Sequence, residues 1–214
     1  MNWATKVSIF IFFCFGCHQP SFDLNSLRKA FADSTKGQNL NMINWEKMYN
    51  SLDKKSLDSP ATVLSTLTRL IQSHNYSSPH VSDLYFLQGN IYYRIDSFPM
   101  AVISYSKADP RGDGPKYLAA RAGAYLKEKM PDSALADLVN ASRMNFDYKW
   151  NIGNYYEIVG EKDSAIANYS WLYHQNSLVY KYCNERIHEL EAKHSRHLTE
   201  LIYHDRDRMV VLIQ

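Results

Sequence analysis

Beyond position 38 the apolar residues return at intervals of three and four, not two. Leu84, Leu87, Ile91 and Ile95 fall at i, i+3, i+7 and i+11, one stripe of an α-helix. Breakers interrupt the stripes regularly: Ser59-Pro60, Ser78-Pro79, Asp109-Pro110-Arg111-Gly112, Gly114-Pro115, Met130-Pro131-Asp132 and Gly160. Proline is tolerated in a first helical turn, where its missing N–H would have had no partner. Pro60, Pro99, Pro115 and Pro131 therefore read as helix starts. The pattern predicts helices over about 22–34, 40–55, 59–73, 80–95, 98–108, 115–128, 131–144, 147–159, 162–174 and 178–208. The expected fold class is all-α.

Part of the pattern repeats. Gly89-x-x-Tyr92 recurs as Ala122-x-x-Tyr125 after 33 residues and as Gly153-x-x-Tyr156 after a further 31. Twelve residues after each small residue stands an alanine, Ala101, Ala134 and Ala165. Four further on lie Tyr105, Leu138 and Tyr169, and three beyond those Ala108, Ala141 and Leu172. Antiparallel helices approach closely only where small side chains meet. Gly89 is expected opposite Ala101, Ala122 opposite Ala134, and Gly153 opposite Ala165. Tyr92, Tyr105, Tyr125, Tyr156 and Tyr169 then fill the space between hairpins, because a single hairpin cannot bury both of its faces.

These residues resemble the tetratricopeptide repeat, whose period is about 34 residues. The resemblance places repeats at 82–114, 115–145 and 146–177. A degenerate helical hairpin occupies 39–81, where Trp45, Met48, Leu52 and Ala61 keep the family's spacing. It implies a helical hairpin solenoid whose first helices line a concave groove for a protein or peptide. On that groove it places Asn90, Tyr93 and Arg94, then Lys116 and Lys127, then Trp150, Asn151 and Asn154, with Phe86, Ala119, Gly123 and Glu157 on the same helix faces.

Residues 178–214 read as a long C-terminal capping helix and tail. The stretch 179–214 holds 12 charges, six of each sign, and four of the eight histidines, as suits the polar outer face that a solenoid end requires. The apolar Val210-Val211-Leu212-Ile213 either packs back onto the body or serves as a docking tail.

The chain's start has a different character. Lys6 precedes a nearly unbroken apolar run from Val7 to Gly16, too short for the ~20 residues of a bilayer span and typical of a signal peptide. Gly16-Cys17 at the end of that run resembles the lipobox of bacterial lipoproteins. The resemblance implies removal of residues 1–16, a lipid on Cys17, a tether with a short helix over 17–38, and a place in the cell envelope of a diderm bacterium. With His18 after the cysteine, that place is the outer membrane facing the periplasm. A plain cleaved signal and an uncleaved apolar anchor are the alternatives.

Composition narrows the function. The apolar share of 45% excludes global disorder, and only 8 Gly and 7 Pro in 214 residues disfavour a turn-rich β fold. A net charge of +2 argues against an electrostatically driven nucleic-acid binder. With Cys14 removed and Cys17 acylated, Cys183 stands alone, so no intramolecular disulfide is expected.

Reactive constellations are missing. Glu185-x-x-His188 and Glu191-x-x-His194 have the spacing of carboxylate-bridged metal sites. On one helix they lie six residues apart and face about 240° away from each other, so they cannot share a metal. His194-x-x-His197 supplies two ligands, which do not make a site. Cys183 reads as a buried thiol, and Arg111-Gly112-Asp113 as a polar turn, a tripeptide that elsewhere serves adhesion. No nucleophile elbow, zinc-protease helix or phosphate loop is present. The expectation is a lipid-anchored, non-enzymatic scaffold without metal or cofactor, binding a protein or peptide partner in the envelope. The alternative is an envelope lipoprotein that holds a small ligand such as a glycan through groove aromatics.

Overall fold

A computed structural model describes residues 42–73, 78–174, 180–192, 202–205 and 208–211. The signal peptide, Cys17, the helix expected over 22–34, His194 and His197 lie outside the described residues. The chain divides into two compact units, residues 1–51 and 52–214. Helix α1, Met42–Ser56, starts in the first unit and ends in the second. In the first unit Trp45 and Met48, three residues apart on one helix face, are both buried.

The second unit continues with α2 Pro60–Gln72, α3 Ser78–Arg94, α4 Phe98–Ala108, α5 Pro115–Lys127 and α6 Pro131–Met144. A 3₁₀ turn over Phe146–Tyr148 leads into α7 Lys149–Ile158, followed by α8 Lys162–His174 and α9 Tyr180–Glu191. Pro60, Pro115 and Pro131 each open a helix, as their missing N–H groups dictate. From α2 onward each helix packs on the next, and α3–α4, α5–α6 and α7–α8 form the tightest pairs. From α2 to α9 the described residues are therefore an all-helical array of consecutive hairpins.

The hairpin turns share one construction. Each first helix ends on a residue with left-handed backbone: Asp96 at φ 58°, Lys129 at φ 58° and Gly160 at φ 86°. In each, the following amide reaches back to a tyrosine carbonyl. Ser97 N–H donates to Tyr92 O at 2.9 Å, Met130 N–H to Tyr125 O at 2.9 Å, and Glu161 N–H to Tyr156 O at 2.7 Å. This is the Schellman C-cap, which satisfies carbonyls that a helix end leaves without intrahelical donors.

Burial separates two layers. No residue of α5 or α7 is exposed. Helices α4, α6 and α8 each carry an exposed stripe, including Ile103 and Lys107, Ala136 and Asn140, and Ala167 and Trp171. So α5 and α7 are inner helices and their partners outer ones.

Two of the small residues stand directly against a tyrosine ring. A Cβ on Gly89 would lie 2.5 Å from Cδ1 of Tyr105, and one on Gly153 would lie 2.6 Å from Cδ1 of Tyr169. The glycines are notches for tyrosine rings four residues beyond Ala101 and Ala165. In the middle hairpin the same offset joins Ala122 to Leu138, both fully buried. The smaller Leu leaves room for a methyl group where the Tyr does not. One position earlier, the same offset of 16 carries polar links. Ser104 Oγ donates to Gln88 Oε1 at 3.3 Å, while Arg121 makes a two-pronged pair with Asp137 at 2.7 and 2.8 Å. Arg121 also donates to Ser106 at 2.9 Å, tying α5 back to α4.

The C-terminus departs from the sequence expectation. No helix runs over 178–208: α9 ends at Glu191, and the chain then forms an antiparallel pair, β1 Ile202–Asp205 and β2 Arg208–Val211. Ile202 pairs with Val211, Tyr203 with Val210, His204 with Met209 and Asp205 with Arg208. Ile, Tyr and Val favour a strand because their branched or aromatic side chains fit a pleated surface. Strand β1 lies against α5 and α7, so the chain folds back onto its body.

Cys183 is fully buried in a cluster with Trp150, Ala165, Tyr169, Leu172 and Leu190. Burial pushes its thiol up from 9.0 to about 12. It also pushes the Tyr169 phenol far above its ordinary range, with the nearby Glu157 carboxylate adding to the shift. Both groups hold their protons more tightly when folded. Their contribution to stability is complete below the unfolded value, 9.0 for the thiol, and is lost as pH rises through the folded value. The melting temperature should therefore fall between about pH 9 and 12, and less steeply in Cys183→Ala. Alkylation mapped by mass spectrometry should leave Cys183 unmodified in the native chain at pH 8 and modified in denaturant. Rapid native labelling would contradict its burial.

Candidate binding face

The eight residues expected to line a groove fall on α3, α5 and α7, the first helices of their hairpins. Their side chains have several fates. Asn90 accepts the Tyr105 hydroxyl at 2.9 Å. Asn154, fully buried, lies 2.6 Å from the Tyr169 hydroxyl. These asparagines serve the tyrosines that fill the glycine notches. The pattern is visible in the chain: Gly89-Asn90 with Tyr105, Gly153-Asn154 with Tyr169, but Ala122-Gly123 with Leu138. Where the large residue has no hydroxyl, no asparagine is present to receive it.

Tyr93 is buried edge-to-face on Phe98 with ring centres 5.3 Å apart, and its ring lies 3.8 Å from where a Cβ on Gly123 would stand. It thus packs α3 against α4 and α5. Trp150 is 2% exposed, 5.0 Å from the Tyr169 ring and 6.2 Å from Tyr182. Its Nε1–H has no hydrogen-bond acceptor among the described residues. Asn151 is buried as well. The expectation that Tyr93, Trp150, Asn151 and Asn154 form an open groove is therefore corrected. Hairpin packing needs large residues on the first helix as much as on the second, and takes these.

The cations remain nearer the surface, each with a partner. Arg94 pairs with Asp53 on α1 at 3.0 Å and also donates to Ser56. Lys116 pairs with Asp83 at 3.3 Å and lies over the rings of Phe86 and Tyr117 at 5.2 and 4.8 Å. The desolvated ring of Tyr117 has its phenol pushed upward. Lys127 is half-buried at the end of α5. The loop before α5 is built on Asp109, whose carboxylate accepts the amides of Asp113 at 3.1 Å and Gly114 at 3.0 Å. Arg111 and Asp113 pair with each other there at 3.0 Å, both exposed.

One charged cluster carries no mark in the repeat pattern. Glu157 on α7 is buried and receives Arg186 from α9 through two nitrogens, one of them Nε at 3.1 Å. Arg186 also bonds Glu189, and the Tyr169 hydroxyl lies 2.6 Å from Glu157 Oε1. Its guanidinium holds its proton beyond the ordinary range because the Glu157 carboxylate outweighs the cost of burial. The pair is separated by 29 residues with no periodic relation. The cluster locks α9 onto the last hairpin and offers no open position to a substrate.

Among the described residues no three His, Cys, Asp or Glu side chains gather where they could hold a metal. No described helix is long and apolar enough to cross a membrane. Comparison with protein-family models and with curated proteins finds none that matches the chain. The inner layer also receives an extended strand of the chain itself, since β1 lies against α5 and α7.

Proposed function

We propose that the chain is a lipid-anchored, non-enzymatic scaffold of tetratricopeptide type that binds a protein or peptide partner in the cell envelope. The observation that carries this reading is the seating of an extended strand, β1, on the inner helices α5 and α7. Those helices are the ones that line the ligand face in the family the repeats resemble. An extended segment offers backbone and alternating side chains to such a face, which suits peptide recognition. The glycan alternative loses its supports, since Trp150 and Tyr93 are turned inward.

Two measurements test the reading. Overlapping peptides from envelope proteins, screened by fluorescence anisotropy against the full chain, should yield a discrete binding set. A screen in which only sugars bind would overturn it. Cys17→Ser should move the protein from the membrane fraction to the soluble fraction; unchanged fractionation would remove the lipid anchor from the proposal.

A further inference from the structure

We infer that the α5–α7 face is a strand-receiving site which the chain's own β1 occupies in the free protein, and that a partner's extended segment binds by displacing it. The inference rests on the scaffold reading above and adds to it a resident competitor.

Three observations converge. First, β1 lies against α5 and α7, while the neighbouring pairs α3–α4 and α8–α9 are helix on helix. Second, α5 and α7 have no exposed residue, whereas α4, α6 and α8 each show a solvent stripe. Third, the hairpin that carries β1 is short. Two strands of four residues, Ile202–Asp205 and Arg208–Val211, form a two-stranded sheet with no third strand among the described residues. An isolated two-stranded hairpin is marginally stable in water. Its order therefore depends on the helices beneath it, and it is the element most readily exchanged.

The chemistry of the resident strand indicates the class of segment that replaces it. Ile202-Tyr203-His204-Asp205 combines an aliphatic residue, an aromatic residue and two polar ones in extended backbone. Because β1 is part of the same chain, it competes at high effective concentration. The apparent affinity for a partner segment falls by the fraction of molecules in which the face is vacant.

The test uses the full chain, a variant carrying Tyr203→Pro and Val210→Pro, and a labelled peptide spanning residues 200–214. These two positions are register partners, and proline removes the N–H that each could contribute to the pair. The peptide should bind the double-proline chain at least about tenfold more tightly than the unaltered chain, as expected if the face is vacant in at most about a tenth of unaltered molecules. Circular dichroism should show equal helix content in both. Equal affinity for the two chains overturns the inference, as does binding to neither.

If the variant loses its helices, hydrogen exchange on the unaltered chain decides. Saturating unlabelled peptide should accelerate exchange of the chain's own 202–211 amides and leave the helices unchanged. Unaltered exchange overturns the inference. So does a concentration-dependent dimer in sedimentation in which β1 seats on a second copy. If envelope peptides bind both chains equally while the 200–214 peptide binds neither, the scaffold reading stands and the resident strand falls. If no peptide binds either chain, both fall.

Discussion

Arg186→Met is expected to destabilise the chain by about 3–5 kcal/mol, read as a lower midpoint of denaturant unfolding. The substitution keeps most of the aliphatic stem and removes the charge that faces Glu157. Glu157 is 5% exposed, so its carboxylate would keep the Tyr169 phenol and lose the cation that faces it. The cost comes from desolvating an uncompensated charge and not from loss of the attraction itself. That distinction has its own test. Glu157→Gln added to Arg186→Met removes the orphaned charge and keeps an acceptor for the Tyr169 hydroxyl. The double variant should recover a large part of the loss, since buried pairs replaced by neutral groups of similar volume are often close to neutral. A double variant no more stable than Arg186→Met would show that the pair acts through packing alone.

Gly153→Ala is the second large effect. In an open helix the exchange stabilises by up to about 1 kcal/mol, because alanine loses less backbone freedom on folding. At position 153 the new Cβ would meet three atoms of the Tyr169 ring within 3.0 Å, with Cζ at 2.8 Å. That ring is fully buried, rests on Trp150 and is hydrogen-bonded at its hydroxyl. It has nowhere to go, so helix α7 must lift from α8. Overpacking of this kind costs about 1–3 kcal/mol, occasionally more, and the upper end is expected here. At about 2–4 °C per kcal/mol for a chain of this size, the melting temperature should drop by roughly 6–12 °C. Gly123→Ala is the internal control. Its nearest neighbour would be Tyr93 at 3.8 Å, an ordinary contact, so it should be neutral or slightly stabilising. Equal losses at 153 and 123 would refute the notch.

Much of the helical layout was legible in the chain, for a physical reason. Proline at a helix start and left-handed residues at its end act locally, so Pro60, Pro115, Pro131 and Gly160 mark boundaries without reference to anything distant. The repeat offset was legible too. What the offset does not reveal is that the ring of Tyr105, four positions beyond Ala101, fills the space at Gly89. The signal was the joint change in the middle hairpin, where Gly, Asn and Tyr become Ala, Gly and Leu together.

Which of the groove candidates are buried was not legible, because polarity does not report exposure in an inner helix. Asn90 and Asn154 look like peptide-gripping amides and instead satisfy phenols. The Glu157–Arg186 pair joins elements outside any period, and the ends of such a pair carry no local mark. The C-terminal strands are only four residues long, and a short apolar run among charges fits helix and strand patterns alike.

The hairpin turns carry a consequence for how this chain could be improved. Asp96 and Lys129 adopt a backbone that suits glycine, which the third turn has in Gly160. A side chain in that conformation costs roughly 1–2 kcal/mol. The closing hydrogen bonds form in all three turns regardless, so the packing of the helices, not the turn residue, dictates the geometry. Natural selection has left two sites where the fold overrules its own sequence. They are unclaimed reserves of stability, and Asp96 and Lys129 are where an engineer seeking a hardier scaffold would substitute first.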